Sequence, residues 1–165
     1  LLLYEPDSED PNDMHYHVRE KLLKNLECDL IVITAYNVLI CQDCRLTSLN
    51  YKGIKEREWN FDTAIHYIRV IGGPPSREGV LVGLKSGQVL EIFIDNAFPI
   101  EVVKVPGSVC CLDISVYRDR LAVIDDTNTL YAYCLKTGQM LFQAAAPQGA
   151  AAHSLGITGL CHSKS

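Results

Sequence analysis

The sequence has no surplus of basic charge, no long apolar run and no familiar catalytic motif. Its 165 residues include 15 lysines and arginines against 20 aspartates and glutamates, which gives a net charge of −5. An acidic balance of this kind is not typical of a nucleic-acid-binding protein. The longest apolar run, Leu30–Ala35, contains a threonine and is far shorter than the ~18 residues of a membrane helix. We therefore expect neither a nucleic-acid partner nor direct membrane insertion.

Patterns that carry enzymatic chemistry are also missing. The sequence has no GxSxG motif, and no Ser-His-Asp or Cys-His set has a recognisable local context. The glycine- and proline-rich stretch Gly72–Gly79 lacks the spacing of a nucleotide-binding loop. It predicts a rigid connector between two strands instead. We predict a protein that is not an enzyme and has no cofactor.

The first residues are apolar and do not form a signal peptide. The chain begins with Leu1, Leu2 and Leu3, without the basic segment and long apolar stretch that a signal peptide contains. Such a start is typical of the end of a strand. We therefore expect this chain to be a fragment of a longer protein.

Cysteine is plentiful but forms no complete metal-binding pattern. The seven cysteines are Cys28, Cys41, Cys44, Cys110, Cys111, Cys134 and Cys161. Five of them lie in apolar β-like runs, which predicts reduced and mostly buried thiols in an intracellular protein. The single CxxC at Cys41–Cys44 lacks the second ligand pair of a structural zinc site. The alternative is an independent small β-domain with a metal-binding or redox site at these two cysteines, joined by His15 or His17.

Short β-branched and aromatic runs recur between turn residues along most of the chain. Eleven such runs predict an all-β protein with antiparallel hairpins; they are Leu30–Tyr36, Val38–Cys41, Leu46–Tyr51, Ile65–Ile71, Val80–Leu84, Val89–Ile94, Ile100–Val105, Val109–Val116, Leu121–Ile124, Leu130–Leu135 and Met140–Gln143. The one helix candidate is His15–Leu26, where a strand is the alternative because apolar and polar residues also alternate.

Two of these hairpins repeat at a fixed distance. Val80–Ile94 aligns with Leu121–Leu135 without a gap, at an offset of 121 − 80 = 41 residues. With the flanking runs, each unit has four strands, and the period fits the ~40–45 residues of a propeller blade. We predict a partial WD40-like β-propeller over residues 1–143, with roughly three four-stranded antiparallel blades in an open ring. The alternative is two unrelated hairpin pairs of a β-sandwich.

The last part of the chain has a different composition. Residues 144–165 are rich in alanine, glycine and serine and have little β-propensity. We predict that this tail is disordered.

One charged segment stands out as a candidate protein-binding site. Lys55, Glu56, Arg57 and Glu58 alternate in charge and precede Trp59, the only tryptophan. Tryptophan and arginine are frequent anchors of protein interfaces. We add Arg77, in the Gly72–Gly79 connector, to this candidate site. The alternative is a solvated charged turn with a half-buried tryptophan.

Several segments together resemble a known family. They are Ser8–Asp10, Asp13–Tyr16, Lys55–Trp59, Ile71–Pro75 and Arg77–Lys85. In unbroken order from Leu1 to about Gln143, the chain resembles the second β-propeller of the intraflagellar transport protein 122 family, WD-repeat subunits of intraflagellar transport complex A. It departs from the repeat signature, because it has no Trp-Asp dipeptide and no Gly-His opener.

The resemblance implies a non-enzymatic scaffold in the cilium and cytoplasm, at the basal body and ciliary axoneme. It implies roles in retrograde ciliary transport, ciliary cargo entry and cilium assembly. The partners that it implies are other complex A subunits and adaptors of ciliary membrane-protein cargo. The family has no catalytic residue to carry over to this sequence.

Overall fold

A computed structural model describes residues 2–12, 14–21 and 27–145 of the chain, and these residues form strands and turns. No helix that could cross a membrane occurs among them. The strands are β1 (Leu2–Pro6), β2 (Tyr16–Lys21), β3 (Leu30–Ile33), β4 (Asn37–Gln42), β5 (Arg45–Asn50), β6 (Lys55–Asn60), β7 (Ile65–Gly72), β8 (Gly79–Leu84), β9 (Gln88–Phe93), β10 (Ile100–Lys104), β11 (Val109–Ile114), β12 (Arg120–Asp125), β13 (Thr129–Cys134) and β14 (Met140–Ala145).

Twelve of the strands form three antiparallel sheets of four, each in simple sequence order. We call them blade 1 (β3–β6), blade 2 (β7–β10) and blade 3 (β11–β14). The strands β1 and β2 pair separately as a two-stranded sheet. The predicted all-β architecture of an open, partial propeller is confirmed. The predicted repeat is also present, since β8 and β9 become β12 and β13 when both are shifted by 41 residues.

Two segments differ from their predictions. The helix candidate His15–Leu26 is wrong over the described part, because Tyr16–Lys21 forms a strand that pairs with β1. Its remaining residues 22–26 lie outside the described residues. The charged segment Lys55–Glu58, for which a turn was the alternative, belongs to strand β6 at the edge of blade 1.

The boundary of the tail also moves. Strand β14 runs through Ala145, so Ala144 and Ala145 pair with Leu130 and Thr129 instead of beginning the tail. The last strand is thus longer than the apolar run Met140–Gln143 suggested. The predicted disorder of the tail falls on residues 146–165, which lie outside the described part of the chain.

The core lies between neighbouring blades. Every residue of β8 is buried, as expected for a strand covered on both faces. Gly83 on this strand is required by close packing, since a Cβ atom there would lie 2.3 Å from Cγ1 of Val109 in blade 3. On the neighbouring inner strands, Arg69 Nη2 lies 2.9 Å from the buried Asp113 Oδ1. Blades 2 and 3 are therefore joined by both apolar contacts and an ion pair.

Antiparallel order places the connections of all three blades on two opposite faces. The loop face carries the connections between first and second strands and between third and fourth strands; these are residues 34–36, 51–54, 73–78, 94–99, 115–119 and 135–139. The linker face carries the other connections, including those between blades; these are residues 43–44, 61–64, 85–87, 105–108 and 126–128.

The linker face is held together by hydrogen bonds between its connections. Asp125, fully buried at the end of β12, accepts hydrogen bonds from the Gly107 amide at 3.2 Å and the Tyr131 hydroxyl at 3.0 Å. Burial alone would raise the pKa of this carboxyl, but hydrogen bonds from Thr127 and Tyr131 outweigh it and hold the pKa below its usual value. Asp125 thus ties a hairpin turn to the connection between blades 2 and 3.

Candidate protein-interaction groove

A groove of about 340 Å³ opens on the loop face between blades 1 and 2. Its walls combine the beginning of β6 with connections from both blades; the lining residues are Tyr36, Asn37, Glu56, Arg57, Pro75, Ser76, Ile94 and Asp95. We call it the blade 1–2 groove. Its lining includes residues of both segments that the sequence analysis combined in one candidate site, the charged segment Lys55–Trp59 and the Gly72–Gly79 connector.

The charged residues of β6 lie at the outer edge of blade 1. The side-chain amide of Asn37 donates a 2.7 Å hydrogen bond from Nδ2 to Glu56 Oε2, which fixes this carboxylate at the groove wall. Lys55 Nζ lies 2.5 Å from Glu58 Oε2, and this hydrogen bond is the main reason why the pKa of Glu58 lies below its usual value. Arg57, also on the wall, is half-buried. The alternating charges are therefore partly paired with one another along the strand.

Trp59 does not reach the surface of this groove. Its side chain is 2% exposed and packs in the core between blades 1 and 2. Its indole N–H donates a 3.0 Å hydrogen bond to the Asn96 carbonyl, which links β6 to the connection that follows β9. Neither prediction for Trp59 describes it well, because it is neither an exposed anchor nor half-buried. Its role is to join the two blades beneath the groove.

The buried Glu78 fastens the two sides of the groove. Its carboxylate accepts hydrogen bonds from the Thr34 hydroxyl at 2.5 Å, the Ala35 amide at 2.9 Å and the Tyr36 amide at 3.2 Å. All three donors belong to the β3–β4 turn of blade 1, whereas Glu78 directly precedes β8 of blade 2. A buried carboxylate is stable only when it is bonded in this way. Glu78 therefore positions the turn that carries Tyr36.

Arg77, directly before Glu78 in the sequence, lies beside the blade 1–2 groove. Its Nε lies 3.7 Å from Asp95 Oδ2, and both side chains are exposed. An exposed ion pair of this length contributes little to stability. Arg77 is thus accessible to a partner that offers a better acceptor.

The comparisons with known proteins agree with this fold. The family model described as the IFT122 second β-propeller matches residues 1–164. The chain belongs to the intraflagellar transport protein 122 family. The relatives include the intraflagellar transport protein 122 homologs of Xenopus tropicalis and Homo sapiens, at 52% and 51% identity over 143 residues. Each match covers 87% of this chain but only 12% of the relative.

Solved structures of designed proteins share the fold of this intraflagellar transport protein 122 family member. The computationally designed Ika4 protein has a TM-score of 0.60 at 14% identity, over 76% of this chain and 79% of that one. The designed Ika8 protein has a TM-score of 0.56 at the same identity, over 69% of this chain and 35% of that one. At such low identity, these matches support the architecture alone.

The cysteines of this family member do not gather into the site that the alternative hypothesis required. Among the described residues, no three His, Cys, Asp or Glu side chains are grouped so that they could hold a metal ion. Cys41 is buried, and burial together with nearby Asp29 raises the pKa of its thiol to about 11. His17 lies instead beside Asp7, with Nδ1 2.6 Å from Oδ1. The described part of the chain therefore lacks the ligand set of the metal hypothesis, whereas a redox role of Cys41 and Cys44, which lie near each other as free thiols, stays a prediction.

The prediction of mostly buried thiols is only partly right. Of the six described cysteines, Cys41 and Cys111 are buried, whereas Cys110 is exposed and the other three are intermediate. The pKa of the Cys134 thiol is shifted in the opposite direction from that of Cys41, because hydrogen bonds with Thr137 hold it below its usual value. Alternation of side chains along a strand explains why Cys110 is exposed and its neighbour Cys111 is buried, since the two face opposite sides of β11.

Several groove residues carried no signal in the sequence. Tyr36 and Asp95 lie in ordinary turns, and their approach to β6 depends on how blade 2 packs on blade 1. The sequence offered only a weak indication of the role of Glu78, namely a charged residue directly before the wholly apolar strand β8. A charged residue is rarely buried without a partner. Contacts between blades join residues about 40 positions apart, and local patterns do not report them.

Proposed function

We propose that this chain is part of a non-enzymatic protein-interaction scaffold in intraflagellar transport, within complex A. The proposal is supported by membership of the intraflagellar transport protein 122 family and by the propeller fold. It extends to retrograde ciliary transport, ciliary cargo entry and cilium assembly. The proposed partners are other complex A subunits and adaptors of membrane-protein cargo. The proposed location is the cilium and cytoplasm, including the basal body and axoneme.

The observation that carries this proposal is the blade 1–2 groove. Its walls carry both signs of charge beside an exposed tyrosine, which is the mixture found at the rims of protein interfaces. Glu56, Arg57 and Arg77 are the side chains that we propose contact a partner, with Lys55 and Glu58 beside them. Trp59 supports this surface from below, because it is buried.

Affinity purification from ciliated cells tests the proposal. The tagged chain is expressed, and complex A subunits in the purified sample are measured by quantitative mass spectrometry. We expect these subunits to co-purify, and the double variant Arg57→Glu/Arg77→Glu to reduce their recovery about tenfold, since reversing interface charges costs more than ~1.4 kcal/mol.

The matched control is Lys85→Glu, which reverses an exposed charge on the linker face. Its recovery of complex A subunits should equal that of the unmodified chain. Absence of these subunits from the unmodified sample would contradict the scaffold role. Equal losses in the control and in the double variant would contradict the assignment to the groove.

A further inference from the structure

A second groove of about 340 Å³ lies between blades 2 and 3, and we call it the blade 2–3 groove. Its walls are mainly aliphatic. Blade 2 contributes Leu81, Glu91 and Ile100, and blade 3 contributes Ile114 and Leu135. Ordinary ligand pockets have volumes of ~300–1,000 Å³, so this groove is at the lower end of that range. It has room for one or two side chains of a partner.

The register of blade 2 places Glu91 between two apolar side chains. Leu81 of β8, Glu91 of β9 and Ile100 of β10 are directly paired neighbours, so their side chains share one face of the sheet. Leu81 is buried in the cluster that joins blades 2 and 3, and this face is therefore turned toward blade 3. Exposure rises along the row, from 1% at Leu81 through the half-buried Glu91 to 49% at Ile100. Glu91 thus lies where a partner can enter the groove from the outer edge of the blade.

Glu91 differs from the other carboxylates that line the two grooves. Glu56 and Asp95 of the blade 1–2 groove have the partners described above. In the blade 2–3 groove, Gln88 Nε2 donates a 2.7 Å hydrogen bond to Glu101 Oε2. Within the described ranges of the chain, the Glu91 carboxylate forms no hydrogen bond and no ion pair. A half-buried carboxylate in this state has lost part of its hydration and can gain a strong bond from a cationic donor.

The one cation in the described lining of this groove is Arg118, and it is held away from Glu91. Arg118 Nη2 donates two hydrogen bonds of 3.2 Å to the carbonyls of Ile71 and Gly72, at the end of β7. Strand β7 is two strands from β9, or about 10 Å at the usual strand spacing. The lining therefore has two carboxylates against one engaged guanidinium, in a chain with net charge −5. This balance favours a basic ligand.

We propose that the blade 2–3 groove binds a lysine or arginine side chain of a partner protein segment. The aliphatic stem of this side chain packs between Ile100 and Leu135, and its cationic head forms a charge-assisted hydrogen bond with Glu91. An apolar neighbour in the segment covers the exposed part of Ile100. The surface is separate from the blade 1–2 groove, so this inference goes beyond the proposed function and does not depend on complex A being the partner.

Fluorescence anisotropy with labelled peptides tests this inference on the 165-residue chain. In the first peptide, arginines alternate with leucines. The second has citrulline in place of every arginine, which keeps the shape of the side chain but removes its charge, and the third has glutamate. We expect the chain to bind the arginine peptide at least about tenfold more tightly than either of the other two.

Variants of the groove then locate the binding. Glu91→Gln keeps the size of the side chain and should weaken binding of the arginine peptide about tenfold, because a charged hydrogen bond becomes a neutral one. Ile100→Ser should weaken it about threefold by removing an apolar wall. Arg118→Asn should tighten it about threefold by removing a like charge, and asparagine tolerates the φ of 55° at this position.

Two matched controls lie outside the groove. Asp95→Asn removes the same charge from the blade 1–2 groove, and Ile54→Ser removes an exposed apolar side chain from blade 1. Neither should change binding of the arginine peptide. Circular dichroism confirms that each variant is folded.

Four results would overturn the inference. They are no measurable binding of the arginine peptide, equal binding of the citrulline peptide, unchanged affinity in Glu91→Gln, and an equal loss in Asp95→Asn. Each is independent of the purification experiment, in which the variants alter the blade 1–2 groove. Co-purification of complex A subunits without selective peptide binding would refute this inference alone. Selective peptide binding without co-purification would refute the scaffold role alone.

Discussion

Replacing Glu78 should weaken the junction between blades 1 and 2 more than its place in a surface connector suggests. This carboxylate is 1% exposed and holds the β3–β4 turn through the Thr34 hydroxyl and the amides of Ala35 and Tyr36. Glu78→Gln keeps the size of the side chain and one carbonyl oxygen but removes the negative charge. Glu78→Ala removes every acceptor. The two variants therefore separate the charge from the hydrogen bonds.

The structure sets the size of each effect. In Glu78→Gln, the amide oxygen can still accept from Ala35, and the new N–H₂ group can donate to Thr34 Oγ1 when the Thr34 hydroxyl turns to the Asn37 carbonyl, 3.1 Å away. The Tyr36 amide loses its acceptor at that position and keeps only Thr34 Oγ1, 3.4 Å away. The loss is then this bond together with the difference between charged and neutral hydrogen bonds, about 1–2 kcal/mol. Glu78→Ala leaves the Ala35 amide without its acceptor and opens a cavity, so we expect about 3–4 kcal/mol.

Urea unfolding of the dilute chain at neutral pH measures both losses. With a slope of ~2 kcal/mol/M for a chain of this size, the midpoint should fall by about 0.5–1 M for Glu78→Gln and about 1.5–2 M for Glu78→Ala. Glu101→Gln, at an exposed carboxylate of β10, is the control and should change stability by less than about 0.5 kcal/mol. Equal midpoints for both Glu78 variants and this control would refute the reasoning.

Three further outcomes follow from other contacts. Gly83→Ala should lower the free energy of unfolding in urea by about 2 kcal/mol, because the new Cβ would overlap Val109. The double variant Gly83→Ala/Val109→Ala should lose less stability than the sum of the two single variants, and strictly additive losses would contradict this contact. The pKa of Asp125 is lowered, so its stabilising effect is present above the ordinary carboxyl pKa of ~4 and is lost as pH falls through the lowered value. Asp125→Asn should therefore be less stable by about 2 kcal/mol at neutral pH and lose less stability on acidification, and parallel pH curves would refute the assignment. Iodoacetamide at pH 7.5 should alkylate Cys134 at least about tenfold faster than Cys41, whose pKa is about 11, and equal rates in mass-mapped labelling would contradict these environments.

The repeat could be predicted from the sequence because its determinants are local. Gly87 occupies a left-handed turn with φ of 90°, and Asn128, at the aligned position one blade later, has φ of 57°. Glycine and asparagine are the residues that tolerate this conformation, so both hairpins carry a visible marker. The runs on either side are apolar because these strands are covered on both faces. Turn chemistry and burial thus both point to four-stranded units.

Strand β6 did not follow this logic. An edge strand pairs on one side only, so its other side tolerates charged residues, and Lys55–Glu58 has the composition of a solvated turn. Its register nevertheless places Trp59 opposite Leu46, directly over the core. The tryptophan was visible in the sequence, but the burial that makes it a packing residue comes from blade 2. The burial of side chains in the charged segment Lys55–Trp59 could not be predicted from that segment alone, because it is blade 2 that covers Trp59.

The two faces of the propeller differ in structure. Hydrogen bonds join the connections of the linker face to one another, whereas the connections of the loop face expose large side chains. On the linker face, short connections bond to one another, as where the Ser108 hydroxyl donates to the Lys85 carbonyl at 2.7 Å. These bonds satisfy the backbone without large side chains. On the loop face, a few buried anchors such as Glu78 and Trp59 do the same work from below. The anchors thus lie beneath the surface, whereas Phe98 and Tyr117 extend from the connections above them with 78% and 85% of their surfaces accessible.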